Sequence, residues 1–305
     1  MLTAYLYLVL SSIFLCAMSL LRKQYQRISE SYFSVLVFVF LSNAAMAVIG
    51  NIAAAFQGFA FYGQTDGAVL GIAAAYAAVS FASTFISVKG TKYGNVSVLI
   101  MFANLGQLVI SSVYGLIFDA QNNSFGAMTV FGYVTAAAIM VLSLFAKKKG
   151  EDASEKKNGK IFFLLCAVLF LFNGAALPLC SLMTRLRPQY GSSNFLTLSS
   201  MFGTAIGAIA TLAALPSKKA SGLVRRGIVA RGGLIVLYAG ACFVSNLLAV
   251  LCTTLLPIVV QAPLSFSISM IVLMLFDFLI YKEKPTKINA LQIALAVACN
   301  VFFAL

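Results

Sequence analysis

The sequence predicts an all-α integral membrane protein with ten transmembrane helices arranged as two inverted five-helix repeats. Three observations predict this class. Of the 305 residues, 61% are hydrophobic and 10% are charged, which is unlike a water-soluble domain. Charge-free stretches of ~20 residues or more, the length of helix that crosses a ~30 Å hydrocarbon core, recur along the chain. Parts of the first half also recur in the second half at a fixed spacing.

Ten helices follow from these charge-free stretches. The longest stretch, 232–276, exceeds one membrane crossing. We divide it near Thr253, Thr254 and Pro257, because proline is tolerated in the first turn of a helix and disrupts its interior. Helices 1 to 10 are predicted at residues 3–21, 32–56, 67–88, 94–118, 126–146, 161–183, 193–215, 233–253, 257–281 and 287–305.

The basic residues predict the orientation of these helices. Nineteen of the 21 Lys and Arg residues fall in alternate connections, on one side of the membrane, and the two exceptions are Arg185 and Arg187. Cytoplasmic loops collect Lys and Arg, so we expect both termini to face outward, in a plasma membrane of the bacterial inner-membrane type. The net charge of +13 is then a consequence of membrane topology, and no nucleic-acid partner is expected.

A repeat links the two halves of the chain. One constant shift along the sequence aligns part of helix 3 with part of helix 8, setting Tyr76, Phe81 and Ser83 on Tyr238, Phe243 and Ser245. Each half holds five helices, an odd number, so the second copy enters the membrane from the opposite face and the repeats are inverted. The predicted domains are the first repeat at 1–146 and the second at 161–305, joined by a hydrophilic cytoplasmic linker at 147–160.

Candidate substrate-binding residues are the polar and aromatic side chains that fall at mid-membrane depth. Polar groups inside a bilayer are stable only against protein or water, so a stripe of them on one helix face predicts a cavity. Such stripes occur on helices 3, 4, 8 and 9, with single amides on helices 2 and 6. The alternative for these residues is helix packing, in which a serine often bonds the carbonyl one turn back. The candidates are Asn43, Tyr76, Ser80, Ser83, Asn104, Gln107, Tyr114, Asn173, Tyr238, Ser245, Asn246, Gln261 and Ser265.

The absence of histidine excludes several kinds of catalytic site. Without histidine the chain cannot form a Ser-His-Asp or Cys-His centre or a His-ligated metal site, so we expect no enzyme activity, no metal and no cofactor. Among the acidic residues, only Asp277 lies inside a predicted span, near its cytoplasmic end. It is interpreted either as an interface ion pair with Lys282 or Lys284, or as a proton-coupling or gating residue. No charge is predicted at mid-depth, which disfavours multiply anionic substrates.

The end of the chain resembles a known transporter family. Residues 255–305 combine Pro257 at the start of helix 9, a long apolar span, a Lys-Glu pair ending at Glu283, Thr286 three residues later, and a final apolar helix. With a slightly longer shift than the one that aligns helices 3 and 8, Asp119 takes the place of Glu283 in the first half. Together with ten helices in two inverted copies, this passage is similar to the bacterial ten-helix branch of the drug/metabolite transporter superfamily.

The resemblance implies a cavity surrounded by helices 1 to 4 and 6 to 9. Helices 5 and 10 would lie outside, where they can contribute to a homodimer, and the two halves would rock to give alternating access. Two features depart from the family. Its members commonly place their termini in the cytoplasm, and the small four-helix relatives use a mid-membrane glutamate that has no match here. Small residues such as Gly203, Gly207, Gly240 and Ala241 are expected to let helices approach closely, although they also serve as ordinary packing residues.

The predicted function is that of a secondary transporter for a small neutral, zwitterionic or cationic metabolite, such as an amino acid or amine. A cavity of hydroxyls, amides and aromatic rings suits such a substrate. One alternative is a broad-specificity exporter of lipophilic organic cations, which the many Phe and Met residues would allow. A second alternative is a structural membrane protein without transport activity. A third is an enzyme acting on lipid. The expected partners are the small-molecule substrate and the lipid bilayer.

Overall fold

The computed structural model describes residues 2–28, 32–56, 60–90, 93, 96–118, 126–145, 159–214, 218–281 and 287–304. Within these ranges the chain forms ten α-helices and one short 3-10 helix at Ala60–Gln64, and it forms no β-strand. The all-α class predicted from the sequence is therefore confirmed. The helices are α1 (Leu2–Ile28), α2 (Tyr32–Ala55), α3 (Gly67–Gly90), α4 (Val96–Phe118), α5 (Ala127–Phe145), α6 (Gly159–Leu186), α7 (Ser192–Ala213), α8 (Lys218–Thr253), α9 (Ile258–Tyr281) and α10 (Lys287–Ala304).

Every predicted helix occurs, and two helices are clearly longer than predicted. α1 continues past 21 to Ile28, and α8 begins at Lys218 rather than at 233. The added segments are rich in Lys and Arg, which favour helix, so helical structure continues beyond the apolar length on which the prediction rested. The predicted break is confirmed, because α8 ends at Thr253 and α9 begins at Ile258, directly after Pro257.

Part of the predicted organisation lies outside the described residues. This holds for the linker at 147–160, except for Gly159 and Lys160, which begin α6. It also holds for Asp119 and Glu283 and for the side chain of Asp277. The interpretations attached to these residues therefore stay predictions.

Six of the helices are long and apolar enough to cross a membrane. Their outward-facing side chains include large apolar ones, such as Ile209, which is 69% exposed, and Leu237, which is 65% exposed. Lipid solvates a surface of this kind, so the chain has the character of a multi-pass membrane protein. Within the described residues, the apolar stretches of α4, α5, α9 and α10 are shorter. The six spans are Leu2–Arg22, Tyr32–Ala55, Gly67–Gly90, Lys160–Leu186, Ser192–Ala213 and Gly232–Thr253.

The first five helices pack mainly against the last five. α6 packs along α3 and α4, and α1 packs along α8 and α9. α2 packs on α7, and α5 packs on α10. One hydrophobic core accordingly joins Ile72 of α3 to Phe195 of α7 and Phe243 of α8. The two halves are thus interlocked.

The backbones of α4 and α6 touch where the two helices cross. A Cβ added to Gly106 would collide with the backbone carbonyl of Phe170, and a Cβ added to Gly174 would collide with the backbone of Gly106. Glycine is the residue that lets helices in a membrane approach this closely. The α4–α6 crossing therefore depends on Gly106 and Gly174.

The glycines singled out from the sequence divide into two kinds. A Cβ on Gly203 would collide with the side chain of Asn43, and a Cβ on Gly207 would lie 2.9 Å from the Cα of Phe40. Both glycines therefore allow α7 to approach α2. Gly240 was expected to do the same for α8, but a Cβ there would meet nothing within 4 Å. That expectation is wrong, because this side of Gly240 meets no neighbouring helix within the described ranges.

We predict that Gly106→Ala lowers the stability of the folded protein by about 1–3 kcal/mol, the usual cost of inserting a methyl group into a closely packed contact. Gly240→Ala is the matched control, because it adds the same methyl group to a transmembrane helix in open space. Thermal unfolding of the purified protein in detergent measures the stability of both variants. A Gly106→Ala protein that melts at the temperature of the unmodified chain would contradict the close crossing.

Candidate functional site

A cavity of about 260 Å³ lies among the helices. Its walls come from α1 to α4 and from α6 to α9, and no described residue of α5 or α10 lines it. Hydroxyls, amides, aromatic rings and aliphatic side chains all contribute to the lining. This central cavity is therefore built by both halves of the chain.

The central cavity brings together most of the candidate residues. They come from helices far apart in the sequence, and α3, α4, α8 and α9 each present the face that carries the polar stripe. Eleven of the thirteen candidates line the cavity: Asn43, Tyr76, Ser80, Ser83, Asn104, Gln107, Asn173, Tyr238, Ser245, Asn246 and Ser265.

The other two candidates, Tyr114 and Gln261, lie outside the lining. The ring of Tyr114 lies 5.1 Å from that of Phe118 and packs beside a cluster that includes Ile258. The side chain of Gln261 is buried, and its Nε2 donates to the backbone carbonyl of Ala249 at 2.8 Å. Gln261 thus ties the start of α9 to the end of α8. For these two residues the packing alternative describes the contacts.

Hydrogen bonds between helices hold part of the lining in place. Ser11 of α1 and Ser245 of α8 each donate a hydroxyl to the other's backbone carbonyl at 3.0 Å. Ser83 of α3 donates to Oδ1 of Asn173 on α6 at 3.3 Å. The Nδ2 group of Asn173 donates to the carbonyl of Ala103 on α4 at 2.8 Å. These side chains therefore face the cavity and also fix the helices around it.

Tyr76 and Tyr238, which the repeat aligns, are both buried in the cavity wall. The ring of Tyr76 lies 5.3 Å from that of Phe195, and the ring of Tyr238 lies 4.9 Å from that of Phe38. The hydroxyl of Tyr238 also accepts a hydrogen bond from Nη2 of Arg22 at 3.0 Å. Packing thus fixes two aromatic rings in opposite halves of the chain.

Arg22 is a lining residue that the sequence interpretation missed. Among the described residues it is the only charged one around the cavity. Its guanidinium carbon lies 5.8 Å from the centre of the Tyr238 ring. The sequence places it in a cytoplasmic loop, because the apolar run of helix 1 ends there. The spacing of Ser11, Leu15, Met18 and Arg22 is the signal that could have found it, since it puts all four on one face of α1.

Several polar groups around the cavity lack a partner. The amides of Asn104 and Gln107 make no hydrogen bond to a described residue. The hydroxyl of Ser42 and Nε of Arg22 are buried, and each is without a hydrogen bond. A buried polar atom left unpaired costs about 1–3 kcal/mol, so these atoms are donors and acceptors available to a bound molecule.

Metal-ligating side chains do not gather anywhere in the described part of the chain. No group of three or more His, Cys, Asp or Glu residues there could hold an ion. The six cysteines are all buried and form no disulfide. The hydroxyls, amides and aromatic rings of the central cavity can bind a small polar molecule through hydrogen bonds and ring contacts.

An ion pair joins two connections at the end of the bundle where α3 begins and α6 ends. Nε of Arg187 donates to Oδ2 of Asp66 at 2.8 Å, and Nη2 of Arg187 bonds the same oxygen. Oδ1 of Asp66 accepts the backbone N–H of Val69 at 2.9 Å, which caps α3. Beside it, the hydroxyls of Thr65 and Tyr190 lie 3.1 Å apart. We call the Asp66–Arg187 pair the latch.

The fold of this chain also occurs in another protein. A solved crystal structure superposes on it with a TM-score of 0.68 over 98% of this chain and 95% of its own, at 15% sequence identity. At this level of identity the similarity concerns the fold alone. No protein-family model and no curated protein sequence matches the chain.

We predict that the latch stabilises the protein at neutral pH and is lost in acid. The Val69 amide, followed by the Arg187 guanidinium, favours the ionised carboxylate and lowers the pKa of Asp66. A group whose pKa is lower in the folded state adds stability above its unfolded pKa, and this stability is lost as the pH falls through the folded pKa. Asp66→Asn should therefore melt at a lower temperature than the unmodified chain at pH 7. The difference should shrink as the pH falls below about 4.

Variants of arginine provide the controls. Arg187→Gln should lower the melting temperature as Asp66→Asn does, and the double variant should add little, because the two residues form one interaction. Arg185→Gln removes a nearby arginine that bonds the carbonyl of Phe118 instead, so it should keep the acid dependence. A difference between Asp66→Asn and the unmodified chain that is the same at pH 7 and in acid would argue against the latch.

Proposed function

We propose that this protein is a secondary transporter that moves a small neutral or zwitterionic metabolite, such as an amino acid, across the membrane by alternating access. The observation that carries the proposal is the central cavity, which both halves enclose and whose polar lining is largely uncharged. Its volume of about 260 Å³ suits a small metabolite. A cationic substrate, which the sequence left open, is disfavoured because Arg22 lines the cavity and no described carboxylate does.

Ten membrane spans in two inverted repeats are part of the proposal. Helix packing supports them, because each main contact has a counterpart five helices further on: α1–α8 corresponds to α6–α3, and α1–α9 to α6–α4. Hydrogen bonds support them as well. The register that sets Tyr76 on Tyr238 also sets Ser11 on Asn173 and Ser83 on Ser245. The bonded pairs are Ser11–Ser245 and Asn173–Ser83, as repeats related by a two-fold axis in the membrane plane would produce.

Membership of the drug/metabolite transporter superfamily is proposed on the same grounds. The helices that line the cavity are the eight that the resemblance assigns to it. α5 and α10 pack on each other away from the cavity and expose large apolar side chains, including Phe131 and Val301. They are therefore the helices through which we propose that a homodimer forms.

The two alternative functions have less support. A broad-specificity exporter of lipophilic cations would be expected to have a larger cavity and no cation in its wall. A purely structural membrane protein would be expected to seal Asn104, Gln107 and Tyr238 in helix contacts. Tyr238 is buried against Phe38, but Asn104 and Gln107 line the cavity with no hydrogen bond to a described residue.

Transport is tested by counterflow of labelled amino acids into vesicles that contain the purified protein. We predict that Asn104→Ala weakens binding of the best substrate by about 0.5–1.5 kcal/mol, or up to about tenfold in affinity, because one amide that faces the cavity is removed. Tyr114→Phe is the control, because Tyr114 does not line the cavity, and it should leave affinity unchanged.

Two outcomes would contradict the proposal. One is that no amino acid or other small polar metabolite exchanges across the vesicle membrane. The other is that exchange occurs but Asn104→Ala behaves like Tyr114→Phe, which would mean that the substrate passes elsewhere.

The proposed orientation, with both termini outside, is tested by cysteine labelling. All six native cysteines are buried, so an introduced exposed cysteine gives a clear signal. We predict that a membrane-impermeant maleimide labels Gln64→Cys in intact cells and labels Lys160→Cys only after lysis, because Gln64 would lie outside and Lys160 inside. The opposite pattern would show that the termini face the cytoplasm.

A further inference from the structure

The central cavity contains a positive charge that no described residue neutralises. Asp66 is the one acidic residue whose side chain the structure describes, and it pairs with Arg187. Arg22 instead contacts a neutral group, the hydroxyl of Tyr238, at 3.0 Å. Arg22 is half-buried and no described carboxylate lies against it, so the cavity can accept an anionic group there.

The unpaired atom of Arg22 indicates where such a group would bind. Nη2 bonds Tyr238, while Nε is buried and has no hydrogen-bond partner. A guanidinium presents its N–H groups in a planar fork that matches the two oxygens of a carboxylate. The hydroxyl of Ser42, which is also buried, unpaired and part of the lining, is available to the rest of the ligand.

Charge balance selects a carboxylate over a phosphate. At Arg22, one guanidinium balances the single negative charge of a carboxylate, whereas a phosphate monoester carries about two at neutral pH and would leave one unbalanced there. The amides of Asn104 and Gln107 and the tyrosine rings suit an uncharged remainder or an ammonium group.

We propose that Arg22 binds the carboxylate of the transported molecule, and that the substrates are therefore amino acids and similar zwitterions with one carboxylate. This inference rests on the proposed transport function, because it identifies the substrate class of the same cavity. Arg22 and Tyr238 then form one end of the binding site, and the ring of Tyr238 bounds the ligand there.

The first experiment compares each acid with its own amide. The probes are the standard amino acids and short straight-chain monocarboxylates, each paired with the corresponding primary amide. Binding to the purified full chain is measured by thermal stabilisation, since a ligand selective for the native state raises the melting temperature. We expect the acids to stabilise the protein and the amides to bind about tenfold to a hundredfold more weakly, as expected for loss of a charge-assisted hydrogen bond.

The second experiment uses variants of the same residue pair. Arg22→Gln should remove the preference for acid over amide, whereas Arg22→Lys, which keeps the charge, should retain part of it. Tyr238→Phe keeps the guanidinium and should preserve the preference even where affinity falls. Melting temperatures measured without ligand establish whether each variant is folded. If Arg22→Gln does not fold, Arg22→Lys replaces it in the comparison.

The outcomes separate this inference from the transport function. Equal counterflow of acids and amides, unchanged by Arg22→Gln, would overturn the carboxylate site while transport itself stands. A second result would also overturn the carboxylate site. If Arg22→Gln slows exchange of acids and amides alike and leaves the binding of both unchanged, Arg22 is a gating residue. If neither acids nor amides bind or exchange, the transport function fails and this inference fails with it.

Discussion

The requirement that polar groups inside a bilayer find partners constrains how the central cavity is lined. Most serines, threonines and amides of the helices meet this requirement by bonding a carbonyl or another side chain, as Ser12 and Ser269 do at 3.0 Å. Several groups without a partner, among them those of Ser42, Asn104 and Arg22, face the central cavity. Unpaired atoms of Ser111, Thr211 and Gln261 are buried elsewhere in the bundle, so only the first set is placed where a bound molecule could complete its hydrogen bonds.

Much of this arrangement could be predicted from the sequence, because lipid imposes simple rules. Apolar length gives the helices, Pro257 gives the break between α8 and α9, and the polar stripes give most of the cavity lining. A stripe gives the direction of a side chain around its helix but not its depth relative to the cavity. Tyr114 and Gln261 lie on the predicted faces, yet near helix ends where other contacts engage them.

Arg22 lines the cavity although the sequence predicts that it lies in a loop. Hydropathy assigns a charge at the end of an apolar run to a loop, because it does not show whether the helix continues or which way the side chain points. The proposed two-fold repeat could not have revealed it either, since the register that sets Tyr76 on Tyr238 sets Arg22 on Thr184. Thr184 bonds the carbonyl of Ser181 on its own helix at 3.0 Å. Two symmetric repeats with a charge in only one of them, at Arg22, would give a ligand a defined direction in the cavity.

The helix crossings restrict how the two repeats could move. α4 and α6 are in backbone contact at Gly106 and Gly174, and α1 and α9, their counterparts under the repeat, are joined by the Ser12–Ser269 hydrogen bond. Each of these pairs combines a helix from the first half with one from the second. Closely packed contacts do not deform continuously, so separating either pair would expose backbone or unpair hydroxyls in lipid. On the proposed mechanism, the bodies that rock are therefore α4 with α6 and α1 with α9, rather than the two sequence halves. The latch and the Arg22–Tyr238 contact then lie where these bodies meet other helices, because the latch joins the ends of α6 and α3 and the Arg22–Tyr238 contact joins α1 to α8.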